Sequence, residues 1–179
     1  MTLRRTLVAE RGINDSNYTT QQLRDGKYWM CPYYSAWNRL IRSDSPVDTR
    51  WLRFSCFREW MVKKKWEGKV LDRWLYGDGN MYGPEVCCFL DRVSSQIANG
   101  LNAKETMGID TSHGMTISNP YRVTVVGSHL GYFPDRDEAR AAWCKAAVAE
   151  FKRRNTNRAH REAVDRLYDR TTSVSDRCR

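Results

Sequence analysis

The sequence lacks any long apolar run, and no stretch approaches the ~18 residues that a membrane-spanning helix needs. The apolar residues near the N-terminus are interrupted by Glu10 and Arg11, so we expect no secretory segment. With 41% hydrophobic and 28% charged residues among 179, most of the chain is expected to fold. These features disfavour membrane and exported classes and predict a cytoplasmic protein.

Cysteine pairs at chelating spacing are also absent, and histidines are few. The six cysteines include no Cys-x-x-Cys pair, and Cys87 and Cys88 are adjacent. We therefore expect reduced thiols and disfavour zinc as a cofactor, although Cys31, Cys56 and Cys87 could still meet in space. The three histidines begin only at His113, so the first hundred residues hold none for acid–base chemistry.

Positive charge is what the sequence has in excess. Thirty Lys and Arg against 21 Asp and Glu give a net charge of +9, which favours a polyanionic partner such as double-stranded DNA. The alternative is a basic protein without such a partner. Lys63, Lys64 and Lys65 form a run at the end of a predicted helix, where they either complement the helix dipole or contact phosphate.

The first hundred residues alternate between helix and strand signals. Residues 1–28 carry weak signals of either kind. Pro32 fits the first turn of a helix that ends at Ile41, and Ser55 is a plausible N-cap for a second helix. The remaining predicted elements are a break at Ser43–Pro46, a strand at Lys69–Arg73, a turn at Gly77–Asn80, a short helical turn that begins at Pro84, and a helix at Asp91–Asn99 that Gly100 ends.

After residue 118 the pattern becomes a small sheet followed by a helix. Residues 101–118 are interpreted as a linker, and Tyr121–Val125 and His129–Phe133 as a hairpin. Its alternation places Arg122 and Thr124 on one face, with His129 opening the partner strand. That face either contacts DNA or is simply solvated. Asp135 and Glu138 form a capping box for a helix that runs to about Phe151. The basic tail, residues 152–179, is either an amphipathic helix or a solvated segment.

Several motifs together resemble bacteriophage HNH homing endonucleases. They are Gly68-Lys-Val-Leu-Asp-Arg73 and Gly79-Asn-Met-Tyr-Gly-Pro-Glu-Val-Cys87. Upstream, Cys31-Pro-Tyr-Tyr-Ser-Ala-Trp37 and Phe57-Arg-Glu-Trp-Met61 are similar to the same family. Downstream, the hairpin and the segment Glu138-Ala-Arg-Ala-Ala-Trp143 resemble the Apetala-type DNA-binding module appended to such nucleases. The resemblance covers about residues 28–150.

The resemblance implies an α+β fold and a division of the chain. N-terminal helices would lead into a small ββα-metal, HNH-like (His-Me finger) unit within residues 1–100. After the linker 101–118, residues 119–151 would form the Apetala-type sheet-plus-helix module, and residues 152–179 a basic helical tail. In that module the sheet lies in the major groove, so Arg122, Thr124 and His129 would contact DNA.

The resemblance also implies a divalent-metal site with two substitutions. Asp72 matches the acidic metal ligand, Asn80 the loop asparagine and Glu85 the acid of the Pro-Glu motif, and Mg²⁺ or Mn²⁺ would be the ion. Arg73 stands where the general-base histidine is expected, and arginine stays protonated at neutral pH. Val86 replaces a residue with a donor atom. His113 or His129 would have to enter the site from elsewhere.

Two functions are consistent with these substitutions. One is a phage-encoded, metal-dependent DNA endonuclease or nickase with a degenerate site, acting in the cytoplasm of the infected bacterial host. The other is an inactive HNH scaffold that binds DNA or inhibits a host protein. The replacements at Arg73 and Val86 favour the second function, whereas Asp72, Asn80 and the Pro-Glu motif favour the first.

Overall fold

The computed structural model describes residues 6–103, 108–111 and 118–175, and divides the chain into two compact units, Met1–Phe89 and Leu90–Arg179. Both units combine short antiparallel strands with helices, so the α+β class is confirmed. No helix within the described ranges is long and apolar enough to cross a membrane.

Unit 1 opens with two short hairpins. Strand β1 (Thr6–Val8) pairs with β2 (Gly12–Asn14), and β3 (Gln21–Arg24) pairs with β4 (Lys27–Met30). The second turn is Asp25–Gly26, with φ of 48° and 72°, which is the dipeptide that tight hairpins prefer. These hairpins lie where the sequence carries only weak signals, because their strands have only three or four residues each.

Two helices pack their apolar faces together in unit 1. Helix α1 (Pro32–Ile41) has the predicted bounds, whereas α2 (Phe54–Met61) begins after Arg53, so Ser55 is not its N-cap. Ser55 lies inside the first turn, and its N–H and Oγ donate to the Asp15 carboxylate at 2.9 and 2.8 Å. The cap is thus supplied by a residue 40 positions away, which local sequence patterns cannot show.

An aromatic cluster forms the core of unit 1. Trp37 is fully buried, and its indole N–H donates to the Trp51 carbonyl oxygen at 2.7 Å. Trp37 also lies 5.5 Å from the ring of Phe54. The other large buried members are Tyr34, Leu40, Ile41, Phe57 and Met61. Because each such side chain contributes about 1.5–3 kcal/mol on burial, this cluster fixes how α1 and α2 pack.

Strand β5 (Val70–Asp72), β6 (Cys88–Leu90) and helix α3 (Arg92–Asn102) follow one another in the chain, and β5 pairs with β6. The strand at β5 is confirmed. Asp91 caps α3 by accepting from the N–H groups of Val93 and Ser94, both at 3.1 Å. The division of the chain places α3 with unit 2.

Unit 2 contains a three-stranded antiparallel sheet in the order β7–β8–β9. Its strands are β7 (Ile109–Thr111), β8 (Tyr121–Val125) and β9 (Ser128–Phe133). The hairpin between β8 and β9 is confirmed, and its turn is Val126–Gly127, with φ of 49° and 80°. The expected linker 101–118 carries strand β7, whose three residues are too few for an alternation to be recognised.

Two long helices complete unit 2. Helix α4 (Arg136–Arg154) is capped by Asp135, whose carboxylate accepts from Glu138 N–H at 2.8 Å, so the predicted cap is confirmed. Its buried side packs on the sheet. Helix α5 (Arg158–Ser175) packs on α3 and α4 through Ala163, Val164 and Leu167. Residues 152–154 of the basic tail therefore belong to α4, and residues 158–175 form a packed amphipathic helix.

Gly100 lies inside α3 and does not end it, because the helix continues to Asn102. A Cβ atom at this position would lie 2.5 Å from Cη2 of Trp143 on α4. The glycine thus permits the close approach of the two helices.

We predict that Gly100→Ala lowers the free energy of unfolding. Overpacking costs about 1–3 kcal/mol, which exceeds the gain of about 0.5–1 kcal/mol in helix propensity. Thermal unfolding followed by circular dichroism measures the difference, with Gln96→Ala, at an exposed position of the same helix, as control. A Gly100→Ala protein more stable than the native chain would contradict the close contact.

Candidate functional site

Asp72, the predicted acidic ligand, ends strand β5 with a side chain that is 1% exposed. Its Oδ1 accepts from the backbone N–H groups of Trp74 and Leu75 at 3.0 and 2.9 Å. A buried carboxylate needs such donors to offset its desolvation. The carboxylate therefore fixes the turn that follows β5.

Arg73, at the position expected for the general base, is held by aromatic rings. Its Cζ lies 4.4 Å from the ring centroid of Tyr82 and 5.3 Å from that of Trp74. Its Nε and Nη1 are buried and have no hydrogen-bond partner among the described residues. The guanidinium is thus positioned by cation–π contacts, and it cannot accept a proton from water.

Asn80 is exposed and closes its own loop. Its Nδ2 donates to Oδ2 of Asp78 at 2.7 Å, and its backbone N–H donates to Oδ1 of the same residue at 3.0 Å. Between them, Gly79 has a φ of 78°, and a Cβ atom there would overlap the Trp74 ring. Asn80 therefore serves as a turn residue in this loop.

Glu85 is held by an arginine that sequence reasoning missed. Arg50 donates from Nη1 and Nη2 to the two carboxylate oxygens of Glu85, both at 2.6 Å. The same guanidinium donates to Asp48 at 2.9 and 2.7 Å. These hydrogen bonds hold the pKa values of Glu85 and Asp48 below their usual ranges. No spacing rule links Arg50 to an acid 35 residues later.

Val86, Cys87 and Cys88 lie at the apolar end of the loop that connects β5 to β6. Cys87 and Cys88 are buried and free of disulfides. Burial raises the pKa of the Cys87 thiol to about 12 and also raises the pKa of Cys88. Both thiols therefore stay protonated at neutral pH, the form that binds metals poorly. Val86 is half-buried and packs near Gly77.

The two predicted acids are engaged in hydrogen bonds as they are arranged. Oδ1 of Asp72 accepts from two backbone amides, and both oxygens of Glu85 accept from Arg50. Across residues 6–103, 108–111 and 118–175, no group of three or more His, Cys, Asp or Glu side chains could hold a metal ion. His113 lies outside the described residues.

The lysine run follows α2 without belonging to it. The helix ends at Met61, and Lys63, Lys64 and Lys65 are all exposed. The Nζ atom of Lys64 lies 5.2 Å from the ring of Trp60. None of the three lysines has an ion-pair partner in the part of the chain that the structure describes. Their charges are therefore available to a phosphate backbone.

The outward face of the sheet gathers polar side chains from three strands. Arg122 is exposed and Thr124 half-exposed, whereas Val123 and Val125 between and beyond them are buried. The alternation predicted for this strand is confirmed. Register places His129 opposite Thr124, with a bulge between Val123 and Thr124.

Two further residues on this face escaped sequence reasoning. Asp110 of β7 and Tyr132 of β9 lie directly opposite Arg122 on its two sides, and directly opposed residues share a face. The rings of His129 and Tyr132 are 4.9 Å apart and meet edge to face. Asp110 and Arg122 also border a cavity of about 390 Å³ beside Gln96 of α3. Recognising β7 would have revealed Asp110.

No family model, curated protein or solved structure matches the chain. The chemistry that the groups can perform therefore follows from their placement. The acids at the nuclease-like positions are hydrogen-bonded within loops, whereas Lys63–Lys65 and Arg122 lack an ion-pair partner among the described residues. This arrangement suits contact with phosphate and with base edges.

We predict that Asp72→Ala lowers the free energy of unfolding of unit 1 by about 1–3 kcal/mol, because two N–H groups lose their buried acceptor. Asp72→Asn keeps one carbonyl oxygen and should cost less. Urea unfolding followed by tryptophan fluorescence reports mainly on unit 1, since six of the seven tryptophans precede Phe89.

Asp44→Asn is the matched control, since it removes the same charge at an exposed site and should change stability by less than about 0.5 kcal/mol. A carboxylate kept only to bind a cation would behave differently. In the absence of metal, its neutralisation would leave stability unchanged or raise it, and that result would contradict a structural role for Asp72.

Proposed function

We propose that the chain is a phage-type, HNH-like protein that binds double-stranded DNA and does not cleave it efficiently. The outward face of the β7–β8–β9 sheet is the observation that supports DNA binding best. It combines Arg122, Thr124 and His129 on strands whose opposite face is packed on α4. A sheet anchored in this way can present several side chains to a groove at fixed spacing.

The side chains on this face supply complementary chemistry for reading DNA. The guanidinium of Arg122 can donate two hydrogen bonds to a guanine edge, and the Thr124 hydroxyl can donate or accept one. Asp110 lies opposite Arg122, and its negative charge would repel DNA phosphates. This charge favours a contact of Arg122 with bases over one with phosphates. We therefore assign sequence readout to this face and phosphate contacts to Lys63, Lys64 and Lys65.

Nuclease activity is the second candidate, and one observation favours it. Strand β5, strand β6 and helix α3 follow in the chain order of the HNH unit, with Asp72 at the end of the first strand. The hydrogen bonds of Asp72 and Glu85 within the loops oppose it. We therefore propose a retained scaffold with a site that has lost efficient metal-dependent cleavage.

A plasmid nicking assay with Mg²⁺ and with Mn²⁺ distinguishes the two candidates. We expect weak or no nicking by the native chain, and detectable nicking only after the double change Arg73→His and Val86→Asn, which restores a base and a donor atom. Robust cutting by the native chain that Asp72→Asn abolishes would contradict the proposal.

We predict duplex binding that is steep in salt and selective through the sheet. If about six phosphates are contacted, the logarithm of affinity should fall with that of salt concentration at a slope near −5. Arg122→Ala should weaken a preferred duplex by about 1–3 kcal/mol, whereas Lys64→Ala should weaken all duplexes alike. Fluorescence anisotropy at two salt concentrations measures both effects.

Lys145→Ala is the control for loss of charge alone, because Lys145 is exposed on α4, whose buried side packs on the sheet. It should change affinity less than Arg122→Ala does. Equal losses from all three substitutions on every duplex would argue against readout by the sheet, and absence of binding at low salt would overturn the DNA-binding proposal.

A further inference from the structure

Unit 1 contains an open cleft of about 450 Å³ bordered by α1 and β5. Three aromatic side chains contribute to its walls, namely Trp66, Tyr82 and Phe89. The volume lies within the range of about 300–1,000 Å³ that small-molecule sites occupy. None of the residues assigned above to DNA contact lines this cleft.

Neighbouring side chains hold each of these rings in place. Trp66 meets the ring of Tyr33 edge to face at 5.4 Å, and Phe89 lies 5.6 Å from the ring of Trp60. The guanidinium of Arg73 lies over Tyr82 at 4.4 Å. The aromatic surface is therefore formed before any ligand arrives, which reduces the entropy lost on binding.

The rim of the cleft carries positive charge. Arg39 and Lys69 are exposed, line the cleft, and have no ion-pair partner in the described residues. No Asp or Glu is among the lining residues. Arg50 of the same unit is not available to a ligand in this way, because its guanidinium N–H groups already donate to Asp48 and Glu85. The free cations therefore favour an anionic ligand.

Ser35 adds a neutral hydrogen-bonding group to the same wall. It is half-buried on α1 and lines the cleft, and its hydroxyl makes no hydrogen bond within the described part of the chain. The hydroxyl of Ser43, another lining residue, instead donates to the Leu40 carbonyl oxygen at 2.8 Å. A ligand would thus meet aromatic faces, one available hydroxyl and two cations.

We propose that this cleft binds a nucleotide, with the base on the aromatic walls and the phosphate at Arg39 and Lys69. An aromatic base matches the rings, and a phosphate matches the cations. A purely apolar ligand would leave the cations unused, and a sugar phosphate would leave the rings unused. The proposal does not depend on DNA readout by the sheet of unit 2.

Isothermal titration calorimetry of the full chain tests the ligand class with three probes: dAMP, deoxyadenosine and deoxyribose 5-phosphate. We expect dAMP to bind roughly tenfold or more tightly than either of its parts, since each part forgoes one set of contacts. Equal affinity for dAMP and deoxyadenosine would overturn the role of the cations. Equal affinity for dAMP and the sugar phosphate would overturn the role of the rings.

Substitutions then locate the binding. Arg39→Ala and Lys69→Ala should each lower the affinity for dAMP roughly tenfold, as expected for loss of one charge-assisted hydrogen bond, while the affinity for deoxyadenosine stays unchanged. Trp66→Leu should lower the affinity for both ligands. Lys27→Ala removes an exposed cation of β4 and should affect neither. Because Arg39 and Lys69 are exposed, these variants should fold, and circular dichroism checks that they do.

The nucleotide could be free or part of a DNA strand, and a dT12 oligonucleotide separates these sources. Binding of dAMP that Arg39→Ala weakens supports a free nucleotide. Binding of dT12 alone, weakened by Arg39→Ala and not by Lys27→Ala, supports a nucleotide within a strand. If neither probe responds to Arg39→Ala or Lys69→Ala, the proposal is overturned. Arg122→Ala should leave dAMP affinity unchanged, so this result is independent of duplex binding.

Discussion

The hydrogen bonds from the Trp74 and Leu75 amides to the buried carboxylate of Asp72 determine the loop between β5 and β6. They fix the backbone immediately after β5. The Trp74 ring occupies the space where a side chain at position 79 would lie, and the Arg73 guanidinium lies over the ring of Tyr82. Arg50 then ties Glu85, near the end of the loop, to Asp48. A carboxylate this buried needs hydrogen-bond donors to offset its desolvation. The loop supplies these donors, so its conformation is linked to Asp72.

The same residues carry the resemblance to phage HNH nucleases and, in this chain, stabilise a loop. A divalent cation would have to compete for Oδ1 of Asp72 and for both oxygens of Glu85, which already accept hydrogen bonds from backbone amides and from Arg50. Polyanion contact makes no such demand, because Lys63–Lys65 and Arg122 lack ion-pair partners among the described residues. We therefore favour a protein that binds nucleic acid through its free cations and retains the acids for structure.

Local sequence patterns predict some parts of this fold well and others poorly. Helix α1, the β8–β9 hairpin and the Asp135 cap follow from periodicity and capping within a few residues. The Asp25–Gly26 dipeptide is a recognisable hairpin signal, but the two strands that flank it have only four residues each. Strand β7 has only three residues, and the bonds from Arg50 to Glu85 and from Ser55 to Asp15 join distant positions. Such pairs are created by the tertiary fold, so no spacing rule reveals them.

The central claim is that in the native chain the Asp72 carboxylate stabilises the loop after β5 and does not bind a divalent cation. Electron paramagnetic resonance of Mn²⁺ titrated into the native chain and into Asp72→Asn tests it directly, because the signal of free Mn²⁺ falls when the ion is bound. The account predicts no saturable site for Mn²⁺ in the native chain and the same titration curve for Asp72→Asn. A saturable site for one Mn²⁺ per chain that disappears in Asp72→Asn would contradict it.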